Sequence, residues 1–324
     1  MNESERLELW YPRASGGVRK ALEACVGQNW RVHFGEVRPT KVHWLIEGRP
    51  TAAQLDNASD LRGVVIPWSG LPPGTRDLLL ERPHLRVQNL HHNATAVAEM
   101  AVALLLAAIR RLPAADAALR RGDWTPRYTE RSGTTLAGRR ALVLGGGAIG
   151  SRIARVLDAL GVRVEVLRRR PRSHAPFPEH GTEALDALLP ECSILINALP
   201  GTPATSGLMD RARLNRLPAG SAVVNVGRAD VFDERALYEG LRDGVLGAAG
   251  LDVWYRYPAS EAERANTAPS EFPFGELPNV ALSPHRAGHL ADTEDERARH
   301  LIELFAALAN GAGAAGRVDV EAGY

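Results

Sequence analysis

The alternation of apolar and polar positions changes character near residue 140. Before it, short β-branched runs bounded by Pro, Gly or Asn, at residues 42–46, 63–66 and 85–87, predict buried strands separated by polar, helix-like stretches. Residues 99–111, rich in Ala and Leu, predict a helix stopped by Pro113. The polar stretch 122–138, with Pro126 and its glycines, predicts a connection. Beyond Arg140 a regular β-then-α alternation sets in. Strands are predicted over 141–144, 162–167, 194–199, 222–226, 248–253 and 280–283, with helices over 149–160, 183–189, 210–217 and 233–243. A last amphipathic helix, 293–310, precedes a Gly/Ala-rich run that begins at Gly311. Such alternation predicts an α/β fold with a parallel sheet covered by helices on both faces.

Composition narrows the function classes. A chain of 324 residues with 45% hydrophobic and 24% charged residues suits roughly two globular domains. A net charge of +1 provides no field to recruit nucleic acid or an anionic membrane, so an acidic metabolite must be captured by local Arg or His. Cys25 and Cys192 lie in no CxxC or Cys/His cluster, which argues against a disulfide framework and against a metal site. The polar, acid-bearing start over residues 1–8 does not read as a signal peptide. The longest apolar stretch, 94–109, is interrupted by Glu99 and is short for a bilayer. A cytoplasmic protein is the expectation.

The sharpest local motif is Gly145-Gly146-Gly147-Ala148-Ile149-Gly150, a GxGxxG that follows a predicted strand and opens a predicted helix. In a dinucleotide site Gly145 permits the tight turn, Gly147 lets backbone approach a pyrophosphate, and Gly150 allows close helix–strand packing. The helix N-terminus, with Ala148 and Ile149, offers N–H groups and a positive dipole end to the phosphates. The bland alternative is a glycine-rich turn with no ligand. The next strand ends in Leu167-Arg168-Arg169-Arg170, and Glu165 sits three residues too early to meet a ribose 2′-OH. A guanidinium at Arg168, with Arg169 beside it, suits a 2′-phosphate through charge-assisted bonds, which favours NADP over NAD. A solvated basic loop is the competing reading.

From about Leu61 to Tyr324 the chain resembles the D-isomer-specific 2-hydroxyacid dehydrogenase family. Five motifs in order carry the resemblance. Residues 93–99 (NATAVAE) resemble the family's N-x-x-x-VAE helix start, 199–205 (LPGTPAT) its LPLTPxT loop, and 224–228 (VNVGR) its VNxGRG segment; 247–253 (GAAGLDV) resemble its GAALDV strand and 283–285 (SPH) its TPH motif. The resemblance implies two doubly wound parallel-sheet domains. A Rossmann cofactor domain, residues 95–290, is inserted into a flavodoxin-like substrate domain, residues 1–94 and 291–324. It also implies a homodimer and a small anionic substrate.

The same resemblance assigns roles. Arg228, at a strand's carboxyl end, grips the substrate carboxylate and carbonyl oxygen, as a guanidinium can hold planar anions and stabilise oxyanion charge. The family's following Gly is Ala229 here. His285 is the general acid/base. The family's Glu partner to this His is replaced by Tyr257 in Asp252-Val253-Trp254-Tyr255-Arg256-Tyr257-Pro258. A neutral Tyr can orient the ring but gives less support to imidazolium, so His285 is expected to titrate lower than in Glu-bearing relatives, unless another acid such as Glu261 or Glu271 substitutes. Formate dehydrogenases of the superfamily also lack the Glu and carry a Trp after the Val. Leu199, Pro200, Thr205, Val226 and Gly227 line the cofactor, and Asp252 meets the nicotinamide carboxamide or is a structural strand-end acid. In the first domain Trp68, Ser69 and Gly70 offer backbone N–H groups to the substrate carboxylate, and His92, next to His91, is an anion-friendly wall or an ordinary loop residue. The leading expectation is an NAD(P)-dependent oxidoreductase interconverting a 2-oxo acid and a D-2-hydroxy acid. The alternatives are a formate-dehydrogenase-like or phosphonate-handling oxidoreductase, and a non-catalytic nicotinamide-sensing protein.

Overall fold

The computed structural model describes residues 6–25, 29–56, 60–129, 133–310 and 316–324. Part of the polar start, part of the 122–138 connection, and the Gly/Ala-rich run over 311–315 lie outside the described residues. The chain divides into two units, Met1–Asn93 with His289–Tyr324, and Ala94–Gly288.

The first unit opens with β1 (Leu7–Tyr11), α1 (Gly16–Ala24), β2 (Trp30–Phe34), β3 (Trp44–Ile46), α2 (Ala52–Asp56), β4 (Gly63–Ile66), α3 (Pro73–Leu80) and β5 (Arg86–Asn89). Its five strands run parallel in the order β2-β1-β3-β4-β5. Neighbouring residues on these strands enter opposite cores. Leu9, Ile46 and Val65 face one cluster; Trp10, Leu45 and Val64 face the other. Strands buried on both faces therefore read as continuous apolar runs, which is why β3 and β4 are visible in the sequence. β1 and β2 are missed because charged and polar side chains interrupt them. Glu8 and His33 cancel that cost by pairing at 2.6 Å.

The second unit contains α4 (Ala94–Ile109), α5 (Leu112–Arg120), α6 (Thr125–Thr129), β6 (Arg140–Leu144), α7 (Ala148–Ala159), β7 (Arg163–Leu167), β8 (Glu179–His180), α8 (Leu185–Leu188), β9 (Ile194–Asn197), α9 (Arg211–Leu214), β10 (Ser221–Asn225), α10 (Glu234–Arg242), β11 (Leu246–Leu251) and β12 (Val280–Leu282). The chain then returns to the first unit with α11 (Thr293–Ala309), which contributes Leu301 and Phe305 to its core. The seven strands run parallel in the order β12-β11-β10-β9-β6-β7-β8. The order reverses at β6, where the chain steps out to β7 and β8 on one side and later to β9 on the other. That is the doubly wound Rossmann arrangement, whose ligand crevice opens at the strands' carboxyl ends near the reversal. One core holds α4 and α7 residues such as Leu105 and Ile153; the other holds Leu214, Leu237 and Phe274.

Several helix boundaries differ from the sequence expectation, among them the helix expected over 210–217, which is the single turn α9. α4 starts five residues earlier, and Pro113 does not stop a helix but opens α5, where its missing N–H would have no partner anyway. The break itself lies at Arg111, whose φ is +49°. The helix expected over 183–189 is the single turn α8 between two 3-10 turns, because Pro190 cannot continue it. No helix among the described residues is long and apolar enough to cross a membrane.

Candidate active site

The glycine turn joins β6 to α7. Gly145 has φ +104°, a conformation that L-residues with side chains rarely adopt, and a Cβ there would also crowd the Ala198 carbonyl. A Cβ on Gly150 would lie 1.7 Å from the Gly145 carbonyl oxygen, so this glycine is required by the turn itself. Gly147 differs. Its φ of −82° and ψ of −162° suit any residue, and a Cβ would meet nothing within 4 Å. No side chain caps α7, so the amides of Ala148 and Ile149 open its first turn with no protein cap. Nothing in the chain itself requires a glycine at 147, whereas a phosphate drawn against this helix end would. The residues present therefore fit a dinucleotide.

At the end of β7 the charges are already paired. Glu165 is buried; burial works against its ionised form, but bonds from His180 and Arg140 outweigh it and hold the carboxyl below its usual range. Glu179, on the neighbouring β8, is likewise held low despite burial, by Arg172 and by Arg168. The Arg168 guanidinium also donates to the Gly146 carbonyl at 3.2 Å, which sets it against the glycine turn. Arg169 is exposed beyond it. Both carboxylates close to this strand end are thus engaged by cationic partners.

The loops after β9 and β10 lock together through two buried asparagines that sequence reading did not single out. Asn197 Nδ2 donates to Asn225 Oδ1 at 2.9 Å, and Asn225 Nδ2 donates to the Arg228 carbonyl at 3.0 Å. Their oxygens accept from the Leu199 and Gly227 amides. Val226 is buried and bonds the Asn197 carbonyl. A Cβ on Gly227 would lie 2.5 Å from the Leu199 carbonyl oxygen. Thr205 ties the next loop by donating to the Pro200 carbonyl at 2.7 Å. The Arg228 side chain passes over Gly201, where a Cβ would come within 3.1 Å of it. A polar residue ending an apolar strand was the available signal for both asparagines.

His285 follows β12 with φ +54°, one of two described non-glycine residues at positive φ. Asp252, 1% exposed, holds this conformation. Its carboxylate accepts from the Ser283 hydroxyl and from the Arg286 and Ala287 amides. Trp254 Nε1 donates to the Ser283 carbonyl at 2.8 Å. The Tyr257 hydroxyl lies 2.9 Å from His285 Nδ1 and accepts the Trp254 amide at 3.1 Å. Burial pushes the Tyr257 phenol up, opposed by the Trp254 amide and by the charge of Arg228. Arg228, Tyr257 and His285 therefore form one electrostatic group. Asp252 has both oxygens occupied within the His285 loop, and neither Glu261 nor Glu271 enters this cluster: Glu261 pairs with Arg264 and Glu271 with Arg256.

In the first unit, Trp68, Ser69 and Gly70 leave the carboxyl end of β4. Asn89, at the end of β5, donates to the Ser69 carbonyl at 2.8 Å, and the Trp68 ring lies over Gly48, where a Cβ would approach to 1.9 Å. His92 is buried against His300, with ring centroids 6.4 Å apart. Burial, together with the charges of Arg297 and His300, pushes its imidazole down to about 4, so it is neutral near pH 7. The structure thus groups Arg228, Tyr257, His285 and Asp252 beyond β10, β11 and β12, in the sheet whose β6 leads into the glycine turn, and holds Trp68–Gly70 and His92 in the other unit. Among the described residues no group of three or more His, Cys, Asp or Glu is placed to hold a metal.

Residues 102–287 match the family model for the D-isomer specific 2-hydroxyacid dehydrogenase NAD binding domain. The chain is 34% identical over 254 residues to D-3-phosphoglycerate dehydrogenase of Mycobacterium tuberculosis, covering 78% of this chain and 46% of that protein. It is also 34% identical over 223 residues to glyoxylate reductase of Aeropyrum pernix, covering 67% of this chain and 64% of that one. The chain thus spans about half to two-thirds of the length of these curated relatives. A D-isomer specific 2-hydroxyacid dehydrogenase from Xanthobacter autotrophicus, solved with NADPH and MES, superimposes with a TM-score of 0.78 at 26% identity, covering 99% of this chain and 100% of that one. With the family model spanning more than half of its length, this chain belongs to the D-isomer specific 2-hydroxyacid dehydrogenase family.

Proposed function

We propose that this protein is an NADP-preferring oxidoreductase that interconverts a small 2-oxo acid and the corresponding D-2-hydroxy acid. The observation that carries the reading is the Arg228–Tyr257–His285 group, which lies beyond β10, β11 and β12 of the sheet that also bears the glycine turn. Gly145, Gly147, Ala148, Ile149 and Gly150 would hold the pyrophosphate; Leu199, Pro200, Thr205, Val226 and Gly227 would line the path to the nicotinamide, which supplies the hydride when bound. Arg228 is placed to hold the substrate carboxylate and stabilise charge growing on the carbonyl oxygen. His285 gives the proton to that oxygen in reduction. Trp68, Ser69 and Gly70 belong to the same reading as amide donors to the carboxylate. Asp252 acts in it chiefly by fixing the His285 loop, since both its oxygens are occupied there. His92, neutral and buried, acts as a packed wall rather than as a charge for the anion.

The NADP preference rests on Arg168 and Arg169 standing where a ribose-binding acid would, with Glu165 paired to Arg140 and Glu179 to Arg172 and to Arg168 itself. The NADPH bound to the Xanthobacter relative points the same way. A cytoplasmic homodimer is part of the proposal. Leu112, Leu119, Trp124 and Tyr128, 58%, 52%, 59% and 78% exposed around α5 and α6, offer an apolar face for a second copy, which light scattering would detect.

The test is consumption of NADPH and NADH with a panel of 2-oxo acids. Turnover with NADPH is expected, with Arg228→Gln lowering kcat/KM by about a hundredfold or more. Cofactor binding without turnover of any acid would instead favour a nicotinamide sensor.

A further inference from the structure

The geometry points to Tyr257 as a positioning residue that decides which nitrogen of His285 carries the proton, and we propose that this phenol–imidazole pair delivers protons for reduction without a carboxylate. This inference rests on the function proposed above. Tyr257 Oη has two neighbours, the Trp254 amide at 3.1 Å and His285 Nδ1 at 2.9 Å. A phenol carries one proton and a backbone N–H can only donate. The Trp254 amide takes one lone pair of Oη, and the phenol proton is assigned to Nδ1 in preference to the reverse bond, in which Oη would accept a second time and leave its own proton to solvent. A neutral imidazole that accepts at Nδ1 carries its own proton at Nε2. A carboxylate in this place has no proton to give; it draws an Nδ1–H and so supports imidazolium. Exchanging the carboxylate for a phenol thus reverses the bond and presents Nε2–H on an uncharged ring.

The surroundings fit this assignment. The charges that act on the Tyr257 phenol are Arg228 beyond β10 and Asp252 at the end of β11. Asp252 is turned to the loop amides and to Ser283, so it does not replace the missing acid at Nδ1. Burial keeps the phenol protonated beyond its ordinary range, which preserves the donor into alkaline solution. In reduction the hydride goes to the carbonyl carbon, the Nε2 proton to the carbonyl oxygen and the Tyr257 proton to Nδ1. The phenolate left behind faces the Trp254 amide and the Arg228 charge. Because Tyr257 is 49% exposed, one proton from solvent restores the starting pair.

Two measurements on the full chain test the pairing. Nitrogen-15 NMR of the imidazoles, with His285 assigned by loss of its signals in His285→Gln, reads the tautomer directly. The expected result is an unprotonated Nδ1 and a protonated Nε2 from about pH 7 to about pH 9, with that bias lost in Tyr257→Phe. In kinetics, wild-type reduction loses less than about tenfold over the same range. Tyr257→Phe, left with imidazolium as its donor, declines by about tenfold per pH unit above the ordinary imidazole value of about 6.5. An Nδ1–H tautomer in the wild type, or one pH profile shared by both proteins, overturns the pairing while leaving the enzyme reading intact. The expected tautomer in a protein that turns over no 2-oxo acid overturns the enzyme reading instead.

Discussion

Gly147 and Gly150 differ only by position in one turn, yet substitution to alanine is expected to separate ligand binding from folding. For Gly147→Ala the backbone at φ −82° and ψ −162° needs no glycine, and the new methyl meets no protein atom. Two small effects act on stability. Alanine is a poorer N-cap than glycine, by about 0.5–1 kcal/mol, while a stiffer unfolded chain returns about 0.4–1 kcal/mol. They offset, so unfolding without cofactor should stay within about 0.5 kcal/mol of wild type. The methyl does project where a pyrophosphate would approach α7. Displacing a phosphate far enough to lose one charge-assisted bond costs about 1.5–3 kcal/mol, or roughly a 10- to 150-fold weaker Kd. For Gly150→Ala the methyl lies 1.7 Å from the Gly145 carbonyl oxygen, a backbone atom, so the turn must move at a cost of about 3 kcal/mol or more. Urea unfolding of the apoprotein and fluorescence titration with NADPH measure the two quantities separately. A Gly147→Ala protein that binds NADPH as tightly as wild type would refute the placement of the pyrophosphate. One that unfolds as Gly150→Ala does would refute the steric reasoning.

Asp252→Asn puts an amide NH2 where an oxygen accepts backbone N–H groups, so about 2–4 kcal/mol of stability should be lost, read by thermal unfolding, with kcat falling as the His285 loop loosens. His92, neutral when folded at about 4 against about 6.5 in the unfolded chain, makes the unfolded state bind the proton first. Its contribution is complete above about pH 6.5 and lost as pH falls toward 4, about 2 kcal/mol by about pH 5, and His92→Gln should flatten that slope in urea titrations at both ends of the range. Arg168→Ala should weaken NADPH by about tenfold or more and NADH by much less; equal losses for both cofactors would reject Arg168 as the 2′-phosphate contact.

The two sheets were unequally legible. β6, β9, β10, β11 and β12 stand out as largely apolar runs because helices cover both faces, and β7 is broken inside only by Glu165, which Arg140 and His180 pair. β1 and β2 hide behind Glu8, Arg31 and His33, polar groups tolerated because Glu8 and His33 find each other across strands 25 residues apart in sequence. The two-residue β8 has no pattern of its own; its place is set by Glu179 and His180 reaching Arg168, Arg172 and Glu165. At the site, residues whose type is set by local geometry or chemistry were legible: the glycines of the turn, Arg228 and His285. Asn197, Asn225 and Ser283 were not, because each acts on a partner 28 or 31 residues away that only the parallel register brings opposite it.

The same division explains the one strained residue in this group. A non-glycine residue at φ +54° costs about 1–2 kcal/mol, a cost that glycine would remove. Glycine has no imidazole, so under the proposed function, in which this residue both turns the chain and handles a proton, it has to be held by its neighbours. Asp252 and Trp254 supply four bonds to Ser283, Arg286 and Ala287, on either side of His285 and none to its side chain. With the backbone fixed by these bonds, the ring is free to meet Tyr257 at Nδ1. A carboxylate or a phenol can then stand at that position without altering the loop. Charge chemistry at Nδ1 can therefore differ between members of one family while the fold around it stays the same.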